Sequence, residues 1–295
     1  MFPERPRVDV IVPAYKSAET IRHCVDAILS QDYPTELVRV ILIDNDTRDS
    51  LSHLANERVQ VLREPRVGSY VARNTGILAS EADVLAFTDA DCKPHENWIS
   101  AAISHMRATN TQRLAGRITQ QPRCEELNSL ECYQLALSFD QERLVTKGLS
   151  VTANMFVTRG LFRLVGNFNE QLLTGGDWEW SRRATALGYT ISYCGNSIVE
   201  HPTRTTWRDL LQKTRRVNSR SGSNNLKKLL FVFFTPIFIT MALLPPINKG
   251  VRILNAKNLS RKQKLKAWLV ACALKPYGRM YLLLTRLEVV KRSRS

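Results

Sequence analysis

Asp89 and Asp91 stand one residue apart where the apolar run Leu85-Ala86-Phe87 ends. In an extended segment, residues i and i+2 point the same way, so the two carboxylates should converge just beyond a strand end. That is the edge where open α/β sheets bind their ligands. Like charges so close are costly unless a cation neutralises them. Oxygen ligands suit a hard divalent ion, Mg2+ or Mn2+, which commonly also holds substrate phosphates. An Asp-x-Asp triplet alone is a weak signal, common in turns and on solvated surfaces. Its place at the end of a buried run makes it stronger here.

The elements that would position this pair can be read from the preceding residues. Residues 8–12 (VDVIV) form a β-branched run ending at Pro13, which suits a buried parallel strand. Ser17 is a candidate cap for a helix whose Ile21, Cys24, Val25, Ile28 and Leu29 share one face. Residues 40–43 and 59–62 read as the next strands, the first stopping at Asp44-Asn45-Asp46. A helix over 70–79 leads to the strand at 84–87. Strands alternating with helices imply right-handed parallel crossovers and a doubly wound sheet. Tyr15, Asp44, Asn45, Asp89 and Asp91 then gather at one edge, where a nucleotide should lie. Further on, 114–118, 151–157, 189–194 and 198–200 read as strands. A helix over 178–187 stops at Gly188, and Thr206 with Asp209 forms a capping box for a basic helix reaching 218.

Charge is unevenly distributed. The net charge is +15, yet residues 204–295 hold 21 Lys and Arg against Asp209 and Glu288 alone, a surplus of 19. Residues 1–203 therefore carry −4. A mildly acidic body joined to a strongly basic tail points to an anionic membrane surface or a nucleic acid as partner. Residues 229–248 are free of charge and almost long enough to span a bilayer, but Pro236, Pro245 and Pro246 interrupt them and basic residues flank both sides. Residues 267–287 contain Lys275, Arg279 and Arg286. Both stretches read better as membrane-surface or re-entrant segments than as a crossing, with a helical cap on the body as the plain alternative. The six cysteines show no Cys-x-x-Cys or zinc-like spacing, and no signal-peptide pattern opens the chain. The reading is a body with reduced thiols at the cytoplasmic face of a membrane.

Taken in order, seven segments resemble those of the family 2 glycosyltransferases with the GT-A fold, over about residues 8–222. They are VDVIVPAYKSAETI, ILIDNDTRDS, VGSYVARNTGI, AFTDADC, TANMFVTRGLFRLVGNFNEQL, TGGDWEW and IVEHP. The resemblance implies a Rossmann-like domain with a mixed central sheet, placed at 1–218; composition marks a linker over 219–225 (SRSGSNN) and a membrane-associating helical tail over 226–295. It implies that Pro13, Tyr15, Asp44, Asn45, Arg73, Asp89, Ala90 and Asn154 line a nucleotide-sugar site. It further implies that Asp89, Asp91 and His201 hold Mn2+ or Mg2+, and that Asp177 is the catalytic base of an inverting transfer. Three positions depart from the family pattern. Gly176 stands where the acidic motif usually has Glu, Lys16 follows Tyr15 in place of the usual Asn, and Thr152 replaces a glycine.

The chemistry stands without the family. A cation on the aspartates would offset charge on a departing diphosphate. A carboxylate such as Asp177 would take the acceptor's proton, although it would also serve simply as a helix N-terminal residue. His201 would ligate as a neutral imidazole, or be a satisfied histidine beside Pro202. Trp178 and Trp180 read as core anchors, one of which could stack on an acceptor sugar. The expected donor is a nucleotide sugar, foremost a UDP-sugar, and the expected acceptor is a saccharide, lipid-linked or otherwise held at a membrane. A metal-dependent nucleotidyltransferase is the competing enzyme, but Pro13-Ala14-Tyr15-Lys16 is not the Gly-rich phosphate loop it needs. A basic nucleic-acid-binding protein is the non-enzymatic alternative, disfavoured by the tail's long apolar runs, so no nucleic-acid partner is expected.

Overall fold

The computed structural model describes residues 3–45, 51–137, 139–218 and 244–286. The chain divides into two compact units. The first comprises Met1–Thr119, Phe139–Glu170 and Gly175–His201; the second comprises Gln120–Ser138, Gln171–Thr174 and Pro202–Ser295.

The first unit is built on a sheet ordered β3-β2-β1-β4-β7-β6-β8-β5. Strands β1 (Val8–Ala14), β2 (Val38–Asp44), β3 (Val59–Arg63) and β4 (Val84–Phe87) run parallel. Helices α1 (Ala18–Leu29) and α2 (Ser69–Leu78) form the crossovers. Val10, Val12, Val40, Leu42, Val84 and Ala86 are fully buried, as expected of strands covered on both faces. Pro13 is tolerated inside β1 because the pairing with β4 ends at Ile11↔Phe87, so its missing N–H lies past that ladder. Beyond β4, antiparallel pairings enter the sheet. Strand β7 (Met155–Thr158) pairs with β4 on one side and with β6 (Arg113–Gln121) on the other. The long β8 (Ser192–Pro202) takes the two-residue β5 (Lys93–Pro94) as an antiparallel edge partner. The sheet is therefore mixed, as expected, with the parallel crossovers read from strand–helix alternation in β1 to β4.

Two local expectations are corrected. Residues 151–154 do not continue a strand: Thr152–Asn154 forms a 3-10 turn that leads into β7. Thr152 sits there at no left-handed φ, so a β-branched residue fits where the family carries glycine. The two short strands expected at 189–194 and 198–200 are one strand, because Gly195 adopts no turn conformation and passes through in register. Ser17 precedes α1, but its hydroxyl makes no capping bond.

Turn 152–154 is fastened by Asn154, which is fully buried. Its Oδ1 accepts from Trp98 Nε1 at 2.8 Å, and its Nδ2 donates to Arg117 O at 2.8 Å and Ser197 O at 3.0 Å. One side chain thus ties β6, β8 and helix α3 (Trp98–Ala108) to the start of β7. Gly116 is required beside it, since a Cβ there would lie 2.4 Å from Asn154 Nδ2.

The described residues of the second unit are mostly helical. Helices α4 (Ser129–Leu137), α8 (Trp207–Asn218), α9 (Ile247–Leu254) and α10 (Arg261–Arg286) share two small cores. These are Leu130, Leu210, Val270 and Leu274, and Cys132, Ile253, Ala267 and Ala271. Gly250 lets α9 approach the Trp268 ring. The Thr206–Asp209 capping box is present, with Thr206 Oγ1 donating to Asp209 Oδ2 at 2.6 Å and Asp209 N donating back at 3.2 Å. The expected boundary at 218 therefore falls inside a group of helices that also includes α4. The expected linker 219–225 and residues 226–243 lie outside the described residues. Among the described residues no helix is long and apolar enough to cross a membrane.

Asn154→Ala removes three buried hydrogen bonds and leaves their partners unsatisfied. At about 1 kcal/mol or more per orphaned group, the loss should reach roughly 3 kcal/mol, read as a lower denaturant midpoint at unchanged slope. A midpoint within 0.5 kcal/mol of wild type by that measure, as an order-of-magnitude bound, would show the turn is held by its neighbours instead.

Candidate active site

The β5–β8 pairing assembles the first half of the site. Its register opposes Lys93 to Glu200, so the residue after Glu200 is delivered beside the residues before Lys93. His201 thereby meets Asp91, with Nε2 3.8 Å from Oδ1. That separation is too long for a hydrogen bond and leaves room for an ion between the two atoms. Ligand atoms of Asp89, Asp91, Cys92 and His201 all lie within 4.8 Å of one another. The set suits a divalent cation bound through two carboxylates and an imidazole. Cys92 is the unsuitable member: burial, reinforced by the neighbouring aspartates, pushes its thiol well up, and a protonated thiol is a poor ligand. His201 is buried, with Phe139 packed on its ring at 4.7 Å between centroids.

The second half of the site hangs on α2. Arg73 is almost fully buried and ion-pairs with Asp89, Nη2 to Oδ1 at 2.5 Å, while Nη1 donates to Ser69 O. Three residues earlier, Tyr70 presents its ring to the Arg73 guanidinium at 5.9 Å and donates its hydroxyl to Asp177 Oδ1 at 3.2 Å. Asp177 lies in the first turn of α7 (Gly176–Ala186), where the Trp178 N–H also donates to Oδ1, at 2.9 Å. Burial is the main cause raising the Asp177 carboxyl above its ordinary range, and the Asp89 charge adds to it. The Trp178 amide, Arg73 and Tyr70 oppose the rise. A carboxylate lifted in this way is better suited to accept a proton near neutral pH. Trp180 is a core anchor stacked on Phe162 at 5.1 Å, and only Trp178 of the pair is left partly exposed.

The remaining expected site residues divide into two groups. Tyr15 is exposed at the end of β1, with the Lys16 ammonium 5.0 Å from its ring centre. Asp44 is buried at the end of β2 and accepts from Leu51 N. Ala90 is buried between the two aspartates. Asn45 and Asn154 differ, because their amides are already engaged. Asn45 donates to Glu64 O at 2.6 Å and Arg66 O at 2.7 Å and accepts from Gly68 N, shaping the loop that enters α2. Asn154 holds the strand crossing described above. A donor could meet these two positions only through groups other than the amide N–H. Sequence reasoning missed Tyr70 and the buried Glu64, which pairs with Arg66 at 2.8 Å and accepts from Thr75 at 2.6 Å. The Asp177 partner of Tyr70 lies 107 residues away and the Thr75 partner of Glu64 lies 11 away, so local pattern could not reveal these bonds. A separate cleft of about 500 Å3, lined by His23, Asp26, Lys93 and Glu96 among others, holds none of the site residues.

With this geometry in place, comparison with known proteins is decisive. Glycosyl transferase family 2 matches residues 9–164. The chain belongs to that family. Glycosyltransferase AglE of Haloferax volcanii is 33% identical over 224 residues, covering 72% of each chain. The pre-mycofactocin glycosyltransferase of Mycobacterium tuberculosis is 25% identical over 224 residues, but this spans only 46% of that protein. Among solved structures, a mannosyltransferase from Pyrobaculum calidifontis, in complex with GDP-Man and Mn2+, superposes with TM-score 0.56 at 20% identity, over 96% of this chain and 87% of that one. S. aureus TarS 1-349 in complex with UDP superposes with TM-score 0.54 at 14% identity, over 96% and 92%. These two likenesses establish the GT-A fold. The chain is a family 2 glycosyltransferase, and its acidic cluster suits a divalent metal.

Nucleotide binding should require a divalent metal through Asp91. Calorimetric titration of UDP should show affinity falling at least about tenfold when Mn2+ is omitted, and equally in Asp91→Ala with Mn2+ present. The same affinity in all three cases would remove Asp91 from the metal site.

Proposed function

We propose that this enzyme transfers a sugar from a nucleotide diphosphate sugar, foremost a UDP-sugar, to a saccharide acceptor held at a membrane, such as a lipid-linked glycan of cell-surface polysaccharide or glycolipid assembly. The observation that carries the reaction class is the convergence of Asp89, Asp91 and His201 on one point. Asp177 adds a buried carboxylate tied through Tyr70 to the same helix as Arg73. The UDP bound to TarS and the GDP-Man and Mn2+ bound to the Pyrobaculum enzyme support a nucleotide-sugar donor and a metal for this chain.

In this reading Asp91 and His201 would hold Mn2+ or Mg2+, and Asp89 would serve the ion or the ribose. The ion supplies neutralisation of the charge that builds on the departing diphosphate. Arg73 fixes Asp89 by its ion pair and brings a second positive charge to the pyrophosphate side. Asp177 takes the proton of the acceptor hydroxyl, whose oxygen attacks the anomeric carbon opposite the leaving group and so inverts its configuration. Asp177→Asn should keep donor affinity and lose about 10²–10⁴-fold in turnover, because the amide retains the shape of the side chain but cannot take the proton. Near-normal turnover in that variant would move the base to another residue, Glu179 first.

The membrane reading rests on the second unit. Residues 244–286 contain ten Lys and Arg and no Asp or Glu. On α9, Ile247, Val251 and Leu254 are 73%, 53% and 68% exposed, an i, i+4, i+7 stripe opposite the buried Ile253. On α10, Leu265 and Leu269 are exposed beside Lys262 and Lys266. An apolar stripe set among basic residues suits burial in the headgroup region of an anionic bilayer, on its cytoplasmic side. Cutting the tail away would strip α4 and α8 of their α10 partners, so surface substitutions make the cleaner test. Full-length protein should co-sediment with phosphatidylserine-containing vesicles, less so at high salt and not with pure phosphatidylcholine. Ile247→Ser/Val251→Ser/Leu254→Ser should lose most of that binding and keep nucleotide affinity. Failure of the wild type to sediment with either vesicle would end the membrane reading and leave the stripe as a protein-binding face.

A further inference from the structure

We propose that Tyr70 is a positioning residue for Asp177, and that Gly176 is glycine in this chain so that the Tyr70 ring can take up that role. This deepens the assignment of Asp177 as the base and rests on it. Two independent geometric facts support the proposal.

The first is the division of labour at the Asp177 carboxylate. Tyr70 Oη–H and Trp178 N–H both donate to Oδ1, at 3.2 and 2.9 Å. Oδ2 has no hydrogen-bond partner among the described residues. Two donors converging on one oxygen fix the plane and direction of the carboxylate and leave the other oxygen's lone pairs for an incoming proton. Burial pushes the Tyr70 phenol far above its ordinary range, so it remains a donor throughout the working pH range.

The second is steric. A Cβ on Gly176 would lie 2.7, 2.8 and 2.9 Å from three carbons of the Tyr70 ring. The ring has no easy retreat: it is buried, and Phe168 packs against it with centroids 5.6 Å apart. Any side chain at 176 therefore excludes Tyr70 from its present place. The phenol fills the volume beside Asp177 that a residue at 176 would otherwise claim, and supplies a neutral hydrogen-bond donor there. Because Tyr70 and Arg73 are three residues apart on α2, one helix places both the donor to Asp177 and the cation on Asp89.

Tyr70→Phe retains the ring and removes only the hydroxyl. Turnover is read as release of nucleoside diphosphate with water as acceptor, using whichever of a set of UDP- and GDP-sugars most raises the melting temperature with Mn2+. In that step the water oxygen bonds to the anomeric carbon, the bond to the diphosphate breaks and the proton goes to Asp177. The variant should lose about tenfold in kcat while the donor dissociation constant and melting temperature stay near wild type. The acid limb of its pH profile should move to higher pH, since ionised Asp177 loses one donor while Trp178 N–H, Arg73 and Asp89 still face it. Wild-type kcat with an unmoved acid limb would overturn the proposal, and so would an equal loss of donor affinity and stability, the mark of a structural role. A substrate-free arm uses full-length protein labelled at aspartate carboxyl carbons, with the Asp177 signal identified by its absence in Asp177→Asn. That signal should titrate at higher pH in Tyr70→Phe, and an unchanged titration counts against the proposal. Normal turnover in Asp177→Asn would refute the base assignment instead, and the labelled titration would still decide whether Tyr70 governs this carboxylate. Gly176→Ala should lower both kcat and melting temperature; a variant indistinguishable from wild type would refute the steric half.

Discussion

The site depends on a buried guanidinium. Arg73 lies nearly out of solvent, with Asp89 in direct contact and Asp177 close enough for their charges to interact. Burying a cation is costly unless it is paired, and a buried carboxylate such as Asp177 beside the half-buried Asp89 is costly unless a cation stands by. Each of the three charges therefore makes the others tolerable. The arrangement has a chemical consequence as well. Asp89 takes the direct contact. Asp177 feels Arg73 only at a distance, and burial can therefore raise its carboxyl.

Arg73 can do this only because the sheet brings three distant segments to its end. The parallel half stops β2 at Asp44 and β4 at Phe87, so Asp44 and Asp89 emerge at the same edge. The antiparallel half adds what a parallel sheet could not. The short β5 leaves the aspartate loop and pairs with the far end of β8, and that pairing carries His201 back across 110 residues of sequence to Asp91. A two-residue edge strand is a weak element by itself. It is held from behind: Asn154 braces β8 through Ser197 O, and His95 reaches Glu200 at 3.1 Å.

The parallel half was legible in the sequence because β-branched runs and polar strand ends are local signals. Asp89, Asp91 and Asp177 were legible because each ends or begins an element. The fastenings between elements were not. Asn154 stands in a recognisable segment, but nothing near it in sequence shows that Trp98, Arg117 and Ser197 use up its amide. Asn45 likewise reads as a ligand at a strand end and serves as the clamp of the loop entering α2. Strand β8 reads as two short strands, 189–194 and 198–200, whereas it runs unbroken over Ser192–Pro202. The grouping of α4 with α8, α9 and α10 was hidden for the same reason: α4 is separated from α10 by more than a hundred residues, and only their shared core joins them.

Backbone strain falls in the same neighbourhood as the chemistry. Three non-glycine residues among those described have positive φ: Lys16 at 51°, Asn110 at 49° and Phe139 at 39°. Asn110 is the residue type that tolerates this region best, and it ends α3 away from the site. The other two are poor choices for it. Lys16 stands where the family prefers Asn and follows Tyr15 at the end of β1; Phe139 lies against the His201 ring. Each conformation costs on the order of 1 kcal/mol and persists only if its surroundings compensate. For Phe139 the compensation is visible. The strained backbone turns a bulky ring onto the imidazole, which excludes water from one face of His201 and limits the ring's rotation. The ring contact thus adds to what holds the imidazole where its Nε2 lies 3.8 Å from Asp91 Oδ1. The strain thus sits beside Tyr15 at the end of β1 and against His201 of the acidic cluster, where a fixed side-chain direction matters more than local stability.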